Sequence, residues 1–297
     1  MITYNHEEYI QKAIEGVLMQ QFNSHFELVI GEDCSTDPTR VICERFAQQH
    51  INILRLLPSE RNLGMMPNFI RTLQACKGKY IALCEGDDYW TDPLKLQKQV
   101  DFLEANPEYV FTFHDCMILN QKTGQQRIRI GDKSIDTRID LISLIIQKNI
   151  STASLVFRNV LDFNALPGWF MKIRNGDYGL CVLLAERGTG HYIPEPMSVY
   201  RVHDGGVWSG SGYESVYRAD SEFYGYLSSY FTDQNVKQAI KAKMQYVNFN
   251  YGINKIRHGQ VLSGLYLAGK NLRFYGDYRL RTKPRKIASA LKTWLQN

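Results

Sequence analysis

Three carboxylates within four residues are the first feature of this sequence that could do chemistry. They are Glu85, Asp87 and Asp88, and only Gly86 interrupts them. Such charges repel one another unless a cation or hydrogen-bond donors offset them. Oxygen ligands alone favour a hard divalent ion such as Mg²⁺ or Mn²⁺. A solvated acidic turn before the helix at Pro93 is the structural alternative, and this run by itself leaves both interpretations open.

A second acidic pair, Glu32-Asp33, also follows a short apolar run. In the first 119 residues, predicted strands and helices alternate in a way that predicts βαβ units and a parallel sheet. Ligands bind at the carboxyl ends of the strands in such sheets, so we expect both acidic clusters at one edge of one sheet. Asp37 and Asp92 already suit the helix caps nearby, which leaves the other carboxylates needing another explanation. The predicted strands are 26–30, 51–57, 80–84 and 109–119, and the predicted helices are 7–20, one opening at 37–38, 68–76 and 92–105.

The pattern changes after about residue 120. Residues 121–124 predict a turn between two strands, and residues 154–158 and 190–202 predict strands on either side of a helix at 177–187. From about 213 the pattern is helical. The sequence therefore predicts an α/β fold in which helices flank a mixed sheet, followed by a C-terminal helical appendage.

Residues 78–90, which contain the acidic run, resemble the DxD segment of the family 2 glycosyltransferases. Further resemblances follow in the order in which that family has them, and together they cover about residues 1–210. Each motif alone is weak, but the ordered set is specific. The motifs are Thr3-Tyr4-Asn5-His6, Glu32-Asp33-Cys34-Ser35-Thr36-Asp37, Asn62-Leu63-Gly64, Asn175-Gly176-Asp177-Tyr178 and Tyr200-Arg201-Val202-His203.

The resemblance implies a role for each matching residue. Asp177 is implied as the general base, and Asp33 as the partner of the nucleotide base, most simply uracil. The implied metal ligands are Asp87, Asp88 and His203, with Mn²⁺ or Mg²⁺ as the ion. The other implied nucleotide-binding residues are Thr3, Tyr4, Asn5, Glu85, Gly86 and Arg201.

The resemblance also implies a GT-A-type fold and transfer of a sugar from a nucleotide-diphosphate donor, such as a UDP-sugar, to a hydroxyl group with inversion. Residues 1–118 would bind the nucleotide sugar, residues 119–212 would form the acceptor half of the same domain, and residues 213–297 would form a helical extension. Bacterial surface polysaccharide or glycan assembly is the implied setting, with a glycan or lipid-linked acceptor.

Elementary chemistry agrees with these roles. A carboxylate at a helix start can take the acceptor's proton, and a divalent ion neutralises charge on a departing diphosphate. Structural alternatives remain open at two positions, because Asp177 could be a helix N-cap and His203 could be an ordinary core or loop histidine.

The sequence departs from the family pattern at its start. The family's first strand precedes the T-Y-N motif, whereas only Met1 and Ile2 precede Thr3 here. That strand would be central, so its loss should cost buried side chains and ladder hydrogen bonds. We therefore expect the first strand to be largely missing, through a misplaced start or because the chain is a fragment. Cys34 also replaces the family's glycine.

Charge and composition bound the setting. The net charge is +5, and residues 270–297 hold eight Lys or Arg and one acid, Asp277. Such a segment suits an anionic membrane surface, although a solvated helix face is an equal alternative. There is no apolar run of the roughly 18–20 residues that span a membrane, no signal-peptide pattern and no C-x-x-C pair. A cytoplasmic location is expected, peripheral to the inner membrane face if the tail binds lipid.

Two other functions stay open for the sequence. A sugar nucleotidyltransferase would need a Gly-rich basic loop near the N-terminus, which is absent from residues 1–20. A catalytically impaired nucleotide-sugar-binding protein is the second alternative, since the first strand is so short. Nucleic acid is not expected as a partner.

Overall fold

The computed structural model describes residues 1–131, 137–147, 150–206 and 210–277. The chain forms two compact units. The first comprises Met1–Leu144, Lys148–Lys172 and Gly176–Asp204. The second comprises Ile145–Gln147, Ile173–Asn175 and the chain from Gly205 onward. The predicted α/β fold, with helices flanking a mixed sheet and a helical C-terminal region, is confirmed.

The first unit contains all the described strands and most of the shorter helices. The strands are β1 (Ile2–Thr3), β2 (Leu28–Glu32), β3 (Leu54–Leu56), β4 (Tyr80–Ala82), β5 (Tyr89–Trp90), β6 (Tyr109–Asn120), β7 (Gln126–Ile128), β8 (Arg138–Ile139), β9 (Val156–Arg158) and β10 (Thr189–Val202). The helices are α1 (Ile10–Leu18), α2 (Thr39–Gln49), α3 (Met65–Ala75), α4 (Lys95–Ala105) and α6 (Gly176–Ala185), with short 3-10 turns at Thr152–Ser154 and Phe170–Lys172. Helix α5 (Leu141–Gln147) begins in this unit, and its residues Ile145–Gln147 belong to the second.

A small parallel sheet has the order β1-β2-β3. Its first strand is reduced to two residues, as the sequence predicts, with Ile2 opposite Gly31 and Thr3 opposite Glu32. The N-terminal ammonium group of Met1 donates a hydrogen bond to the Val29 carbonyl at 2.8 Å. Each of the first three residues therefore pairs with β2.

The second sheet is mixed, and it corrects one prediction. Its order is β4-β9-β6-β10-β5, with β7 on β6 and β8 on β10. Among the described strands of this sheet, only β6 and β10 pair in parallel, and β4 pairs antiparallel with β9. The two acidic clusters thus follow strands of different sheets, not one edge of one parallel sheet. The clusters still meet, because the Gly86 amide donates to the Ile2 carbonyl of β1 at 2.9 Å.

Helix α1 shows how the first unit buries its apolar side chains. Ile10 and Ile14 are fully buried and Val17 is 4% exposed, which places the predicted apolar face in the core. Each such side chain contributes roughly 1.5–3 kcal/mol when it is removed from water. Gly16 allows close approach to β5, because a Cβ there would lie 2.9 Å from the backbone of Trp90. Helix α1 is thereby set against the strand that follows the second acidic cluster.

Helix α3 begins earlier than its predicted start at Asn68. It starts at Met65 and contains Pro67. The first backbone N–H groups of a helix have no partner within the helix, so a proline is tolerated in the first turn. Gly64 precedes the helix with φ of +87°, a conformation that glycine adopts without strain. The N-x-G motif is therefore the entry to α3.

The second unit contains three longer helices, α7 (Tyr213–Tyr230), α8 (Gln234–Arg257) and α9 (Val261–Asp277). The side chain of Asp233 caps α8 by accepting from the Val236 amide at 2.9 Å. Helices α8 and α9 approach through two glycines, since a Cβ on Gly252 would lie 2.8 Å from the Gly264 carbonyl oxygen. Among the described residues, no helix has the length and apolar character needed to cross a membrane. Most of the predicted basic tail, residues 278–297, lies outside the described residues.

Candidate active site

The second acidic cluster lies on the segment that joins β4 to β5, which we call the acid loop (Leu83–Asp88). Its three carboxyl groups offer oxygen atoms that all lie within 4.8 Å of one another. The Gly86 amide anchors the loop to β1, and the Asp88 amide donates to the Glu85 carbonyl at 3.1 Å. A short turn therefore holds three acids close together, as the residue spacing predicts.

Asp88 is the most deeply buried of these acids, at 1% exposure. Its Oδ1 atom accepts a hydrogen bond from the Arg201 amide at 2.9 Å, whereas no described group hydrogen-bonds to its Oδ2 atom. Burial, and then the charge of Asp87, raise the pKa of Asp88 well above its usual value, against the opposing effect of Arg201. Asp88 is thus a buried carboxyl group with one oxygen atom that no described residue hydrogen-bonds.

Asp87 is in a different electrostatic setting. Its Oδ2 atom lies 3.2 Å from the Nε2 atom of His203 and 3.9 Å from the Nε2 atom of His6. Burial alone would raise its pKa, but the hydrogen bond with His203 and the nearby imidazoles outweigh burial and lower the pKa of Asp87. Asp87 therefore stays ionised between two imidazole rings.

Arg201 supports the acid loop from β10. Its Nη1 atom donates to the Asp87 backbone carbonyl at 2.6 Å, and its guanidinium lies 4.4 Å from the ring centre of Tyr89 and 5.2 Å from that of Tyr9. Such cation–π contacts each contribute about 0.5–2 kcal/mol. The side chain is 5% exposed as part of this packing. Arg201 holds the loop in the structure, and its predicted contact with a diphosphate stays a prediction.

Glu85 and Asp177 meet at Thr152. The Thr152 hydroxyl donates to the Oδ2 atom of Asp177 at 2.9 Å. Burial raises the pKa of Glu85 well above its usual value, and the charges of Asp87, Asp177 and Asp88 add to this effect. Asp177 is therefore close enough to the acid loop for the two to interact electrostatically. Helix α6 begins at Gly176, before Asp177, so Asp177 lies in the first turn and the N-cap alternative is wrong.

The first acidic cluster receives several hydrogen bonds from the protein itself. The Leu63 amide donates to Oδ1 of Asp33 at 2.8 Å, and the Gly64 amide donates to Oδ2 at 2.9 Å. Glu32, which is fully buried, accepts from Arg40 at 3.0 Å and from the Ser35 amide at 2.6 Å. A carboxylate has about four lone-pair sites, so Asp33 keeps capacity for a further donor. Its predicted contact with a nucleotide base stays a prediction.

The T-Y-N motif connects the two acidic clusters. The Asn5 side chain accepts from the Thr36 amide at 2.8 Å, Tyr4 is 42% exposed, and Thr3 is buried with its Oγ1 atom 3.1 Å from the Nδ1 atom of His6. Gly86 is required beside Thr3, because a Cβ there would lie 2.4 Å from the Thr3 hydroxyl oxygen. The structure brings together Thr3, Gly86, Asp87, Asp88, Arg201 and His203 at the acid loop.

Several residues at this site have no counterpart in the sequence-based assignment. His6, Tyr9, Tyr89 and Thr152 contact the predicted site residues directly, as the distances above show. His6 follows the T-Y-N motif immediately, which was a usable signal. Thr152 gave none, because it lies on a 3-10 turn that no motif covers.

The donor set fits a divalent cation. It combines three clustered carboxyl groups and an imidazole nitrogen at Asp87, and one of the carboxyl groups has a buried oxygen to which no described residue hydrogen-bonds. Carboxylate oxygens suit Mg²⁺ and Mn²⁺, and imidazole is also a common ligand. The residues predicted to bind metal, Asp87, Asp88 and His203, are therefore a chemically suitable set.

Comparisons with solved structures support the fold assignment. The chain resembles residues 1–349 of Staphylococcus aureus TarS, solved with UDP-GlcNAc, with a TM-score of 0.65 at 17% identity over 97% of this chain and 81% of that one. It also resembles the mannosyltransferase PcManGT of Pyrobaculum calidifontis, solved with GDP-Man and Mn²⁺, with a TM-score of 0.60 at 16% identity over 98% of this chain and 77% of that one. At these identities the likeness establishes the GT-A fold alone.

Sequence comparisons establish the family. A sequence model of Glycosyl transferase family 2 matches residues 1–163, which is more than half of the chain. This protein therefore belongs to glycosyl transferase family 2.

Two named relatives add detail. An uncharacterized protein of Mycobacterium tuberculosis is 37% identical over 207 residues, which cover 70% of this chain and 59% of that protein's length. TuaG of Bacillus subtilis, which carries the name of a teichuronic acid biosynthesis glycosyltransferase, is 27% identical over 62% of this chain and 75% of its own length. The chain thus spans less than two thirds of the mycobacterial relative.

Proposed function

We propose that this chain moves a sugar from a nucleotide-diphosphate donor, with UDP as the nucleotide, to a hydroxyl group of an acceptor. The supporting observation is the convergence of two carboxylate centres, because Thr152 hydrogen-bonds Asp177 while the charge of Asp177 acts on Glu85 of the acid loop. The solved structures of similar fold with UDP-GlcNAc and GDP-Man support a donor of this class.

Asp87, Asp88 and His203 would hold a divalent cation, Mn²⁺ or Mg²⁺. When bound, such an ion neutralises the charge that develops on the departing diphosphate. The Arg201 guanidinium keeps Asp87 in place by donating to the Asp87 backbone carbonyl, and the Arg201 backbone amide keeps Asp88 in place by donating to its carboxylate. The loop would thus be pre-organised before the donor arrives. Thr3, Tyr4, Asn5 and Asp33 would line the nucleoside end of the donor pocket, next to Gly86.

Asp177 would act as the general base. It lies at the start of α6 and accepts one hydrogen bond from Thr152 at 2.9 Å, which fixes one carboxylate oxygen and leaves the other for the acceptor hydroxyl. A single base that deprotonates the acceptor suits direct displacement, and direct displacement inverts the configuration at the sugar carbon.

The acceptor would be a glycan or a lipid-linked glycan of the bacterial surface. The name of TuaG supports this class, although the whole protein's acceptor remains part of the proposal. A location on the cytoplasmic side of the membrane follows if residues 270–297 bind anionic lipid. Vesicle co-sedimentation that rises with anionic lipid content and falls with salt would support this location, and sedimentation independent of both would oppose it.

The substitution Asp177→Asn tests the proposed base. We expect sugar transfer to fall about 10²–10⁴-fold, the range for a lost general base, while UDP affinity in the presence of Mn²⁺ stays within about twofold of the native value. Transfer is measured as acceptor-dependent release of UDP, and affinity by calorimetry. Asp101→Asn, at an exposed acid of α4, is the matched control and should change neither quantity.

Two results would oppose the proposal. Native-like transfer by Asp177→Asn would remove its role as base. Loss of UDP binding together with transfer would indicate that Asp177 is needed for structure and not for deprotonation. Product analysis by NMR would test inversion separately, since retained configuration at the sugar carbon rules out a single displacement.

A further inference from the structure

We infer that His6 is a further protein ligand of the divalent cation, so that two imidazole nitrogens, from His6 and His203, join the carboxylates of the acid loop around the ion. The inference rests on the proposed function, because it assumes that the acid loop holds a cation. Neither the motif assignments nor the clustered acids assign a role to His6, whose Nε2 atom nevertheless faces Asp87.

Distance is the first argument. Two atoms that bind the same ion cannot lie further apart than the sum of their two bonds to it. Divalent ions bind imidazole nitrogen and carboxylate oxygen at about 2.1 Å each, which sets a limit near 4.2 Å. The Oδ2 atom of Asp87 lies 3.2 Å from Nε2 of His203 and 3.9 Å from Nε2 of His6. Both histidines are therefore within reach of an ion that Asp87 binds.

The orientation of the His6 ring is the second argument. Its Nδ1 atom lies 3.1 Å from the hydroxyl oxygen of Thr3, a residue that is 3% exposed. When Nδ1 carries the proton and donates it to Thr3, the lone pair of Nε2 faces Asp87. Histidine ligands of metals commonly have such a partner on the other ring nitrogen, which fixes the tautomer. Gly86 leaves room for this pair, since a Cβ there would lie 3.0 Å from Nδ1.

The backbone of His6 is also fixed. Its amide donates to the Thr39 hydroxyl at 2.7 Å, and its carbonyl accepts from the Tyr9 and Ile10 amides, both at 2.9 Å. The ring centroid lies 6.3 Å from that of His203, at an interplanar angle of 83°. A side chain held at both ends in this way needs little rearrangement to bind an ion.

The chemical consequence is metal preference. Mg²⁺ favours oxygen ligands and water, whereas imidazole suits the transition metals. A site that adds a second imidazole nitrogen to the acid-loop carboxylates should therefore prefer Mn²⁺ to Mg²⁺. A site with oxygen ligands and one histidine would discriminate less.

The test counts the nitrogens bound to Mn²⁺. Pulsed EPR of the Mn²⁺-loaded full chain detects ¹⁴N couplings from coordinated imidazole, and ¹⁵N-histidine labelling assigns them to histidine. We expect couplings from two histidines in the native protein and from one in His6→Gln or His203→Gln. His25→Gln, at an exposed loop position, is the control and should keep both couplings.

Mn²⁺ affinity gives a second readout. His6→Gln should weaken Mn²⁺ binding at least tenfold while changing Mg²⁺ binding less, and Thr3→Val should weaken Mn²⁺ binding by about 10–100-fold, as lost orienting partners do. Thr3→Ser keeps the hydroxyl group and should restore most of the affinity.

The outcomes separate this inference from the proposed function. A single histidine coupling in the native protein, unchanged in His6→Gln, would overturn the role of His6 and leave a cation site at Asp87 and His203. Absence of Mn²⁺ binding by the native protein would overturn both. Because the native spectrum alone counts the nitrogens, a variant that fails to fold does not affect the decision.

Discussion

The two acidic clusters have the same sequence appearance and opposite electrostatic environments. Each places neighbouring acids after a buried strand. Both carboxylate oxygens of Asp33 accept hydrogen bonds from backbone amides, and the Glu32 carboxylate accepts one from Arg40. By contrast, Asp88 has a buried oxygen without a hydrogen bond among the described residues, and its pKa is raised by burial and by Asp87.

This difference indicates which cluster needs a cation. The carboxylates after β2 are stabilised by donors of the protein itself, so they order the loop that leads into α3. In the acid loop, by contrast, no described group hydrogen-bonds to the buried Oδ2 atom of Asp88, and the pKa values of Glu85 and Asp88 are raised, so an external cation would stabilise the loop. The presence of neighbouring acids in the sequence therefore did not distinguish a structural cluster from a metal site, whereas the hydrogen-bond partners of those acids do. The predictions below test this contrast, from the largest expected effect to the smallest.

Asp87→Asn and Asp33→Asn should fail in different ways. Asp87→Asn removes a charged ligand, so we expect Mn²⁺-dependent transfer to fall about 10²–10³-fold, the typical loss of one group that stabilises developing charge. Its melting temperature without metal should fall only slightly, because the lost interaction with His203 is partly offset by weaker repulsion on Glu85 and Asp88. Activity titrated with Mn²⁺ and thermal unfolding in EDTA are the measurements. Native turnover by Asp87→Asn in excess Mn²⁺ would contradict the assignment.

Asp33→Asn should lose stability. The Leu63 and Gly64 amides would each lose a charged acceptor, and hydrogen bonds to charged groups contribute about 1.5–3 kcal/mol. We expect the free energy of unfolding to fall by at least about 1.5 kcal/mol in urea denaturation. An unchanged free energy would show that the amide contacts of Asp33 do not anchor the entry to α3.

Asp88→Asn should stabilise the metal-free protein. A raised folded-state pKa means that the folded protein binds more protons than the unfolded chain between the two pKa values, so the contribution of Asp88 to stability falls as pH rises from about 4 through the folded-state value. Asparagine does not ionise, so the stability of the variant does not fall with pH for this reason. We expect its melting temperature in EDTA at pH 8 to exceed that of the native protein by roughly 2–4 °C, the shift for about 1 kcal/mol.

The difference in melting temperature between Asp88→Asn and the native protein should shrink as the pH is lowered from 8, because the folded native chain takes up a proton at Asp88 more readily than the unfolded chain does. Asp101→Asn should follow the native protein as the pH is lowered. A difference in melting temperature that grows on acidification would contradict a raised pKa of Asp88.

Cys34→Gly should give the smallest effect. Cys34 has φ of +56° at the position where the family motif has glycine, and this conformation costs a non-glycine residue about 1–2 kcal/mol. The Cys34 thiol also accepts from Ser59 at 3.3 Å, which offsets part of the gain. We expect a net stabilisation of about 1 kcal/mol by urea denaturation.

Asn5→Gly is the matched comparison, because Asn5 also has a positive φ, 54°. Asparagine tolerates this region, and the Asn5 side chain accepts from the Thr36 amide. Glycine should therefore destabilise at position 5 although it stabilises at position 34. Equal shifts of the same sign at both positions would contradict this account.

Local patterns predicted the elements better than their assembly. The apolar spacing of α1 and the turn between β6 and β7 follow from residues close in sequence, and both are confirmed. The pairing of β4 with β9 joins residues about 75 positions apart, which no local pattern encodes. For that reason the prediction that both acidic clusters lie at the edge of one parallel sheet was wrong. The clusters are instead connected through the chain start, where the Gly86 amide donates to the Ile2 carbonyl.

The candidate site shows the same limit. Motif order identified Asp87, Asp177 and His203, because the family keeps those residues in recognisable strings. The interactions of Thr152 with Asp177 and of His6 with Asp87 depend on side chains from separate elements. The absence of a partner for the buried Asp88 oxygen could not be read from the sequence at all.

The central claim is that the acid loop binds a divalent cation together with the donor diphosphate. Calorimetric titration of UDP into the full chain, with EDTA or with Mn²⁺, tests it most directly. The account predicts that Mn²⁺ strengthens UDP binding at least tenfold in the native protein and has no such effect in Asp87→Asn. Equal UDP affinity with and without Mn²⁺ in the native protein would contradict the claim.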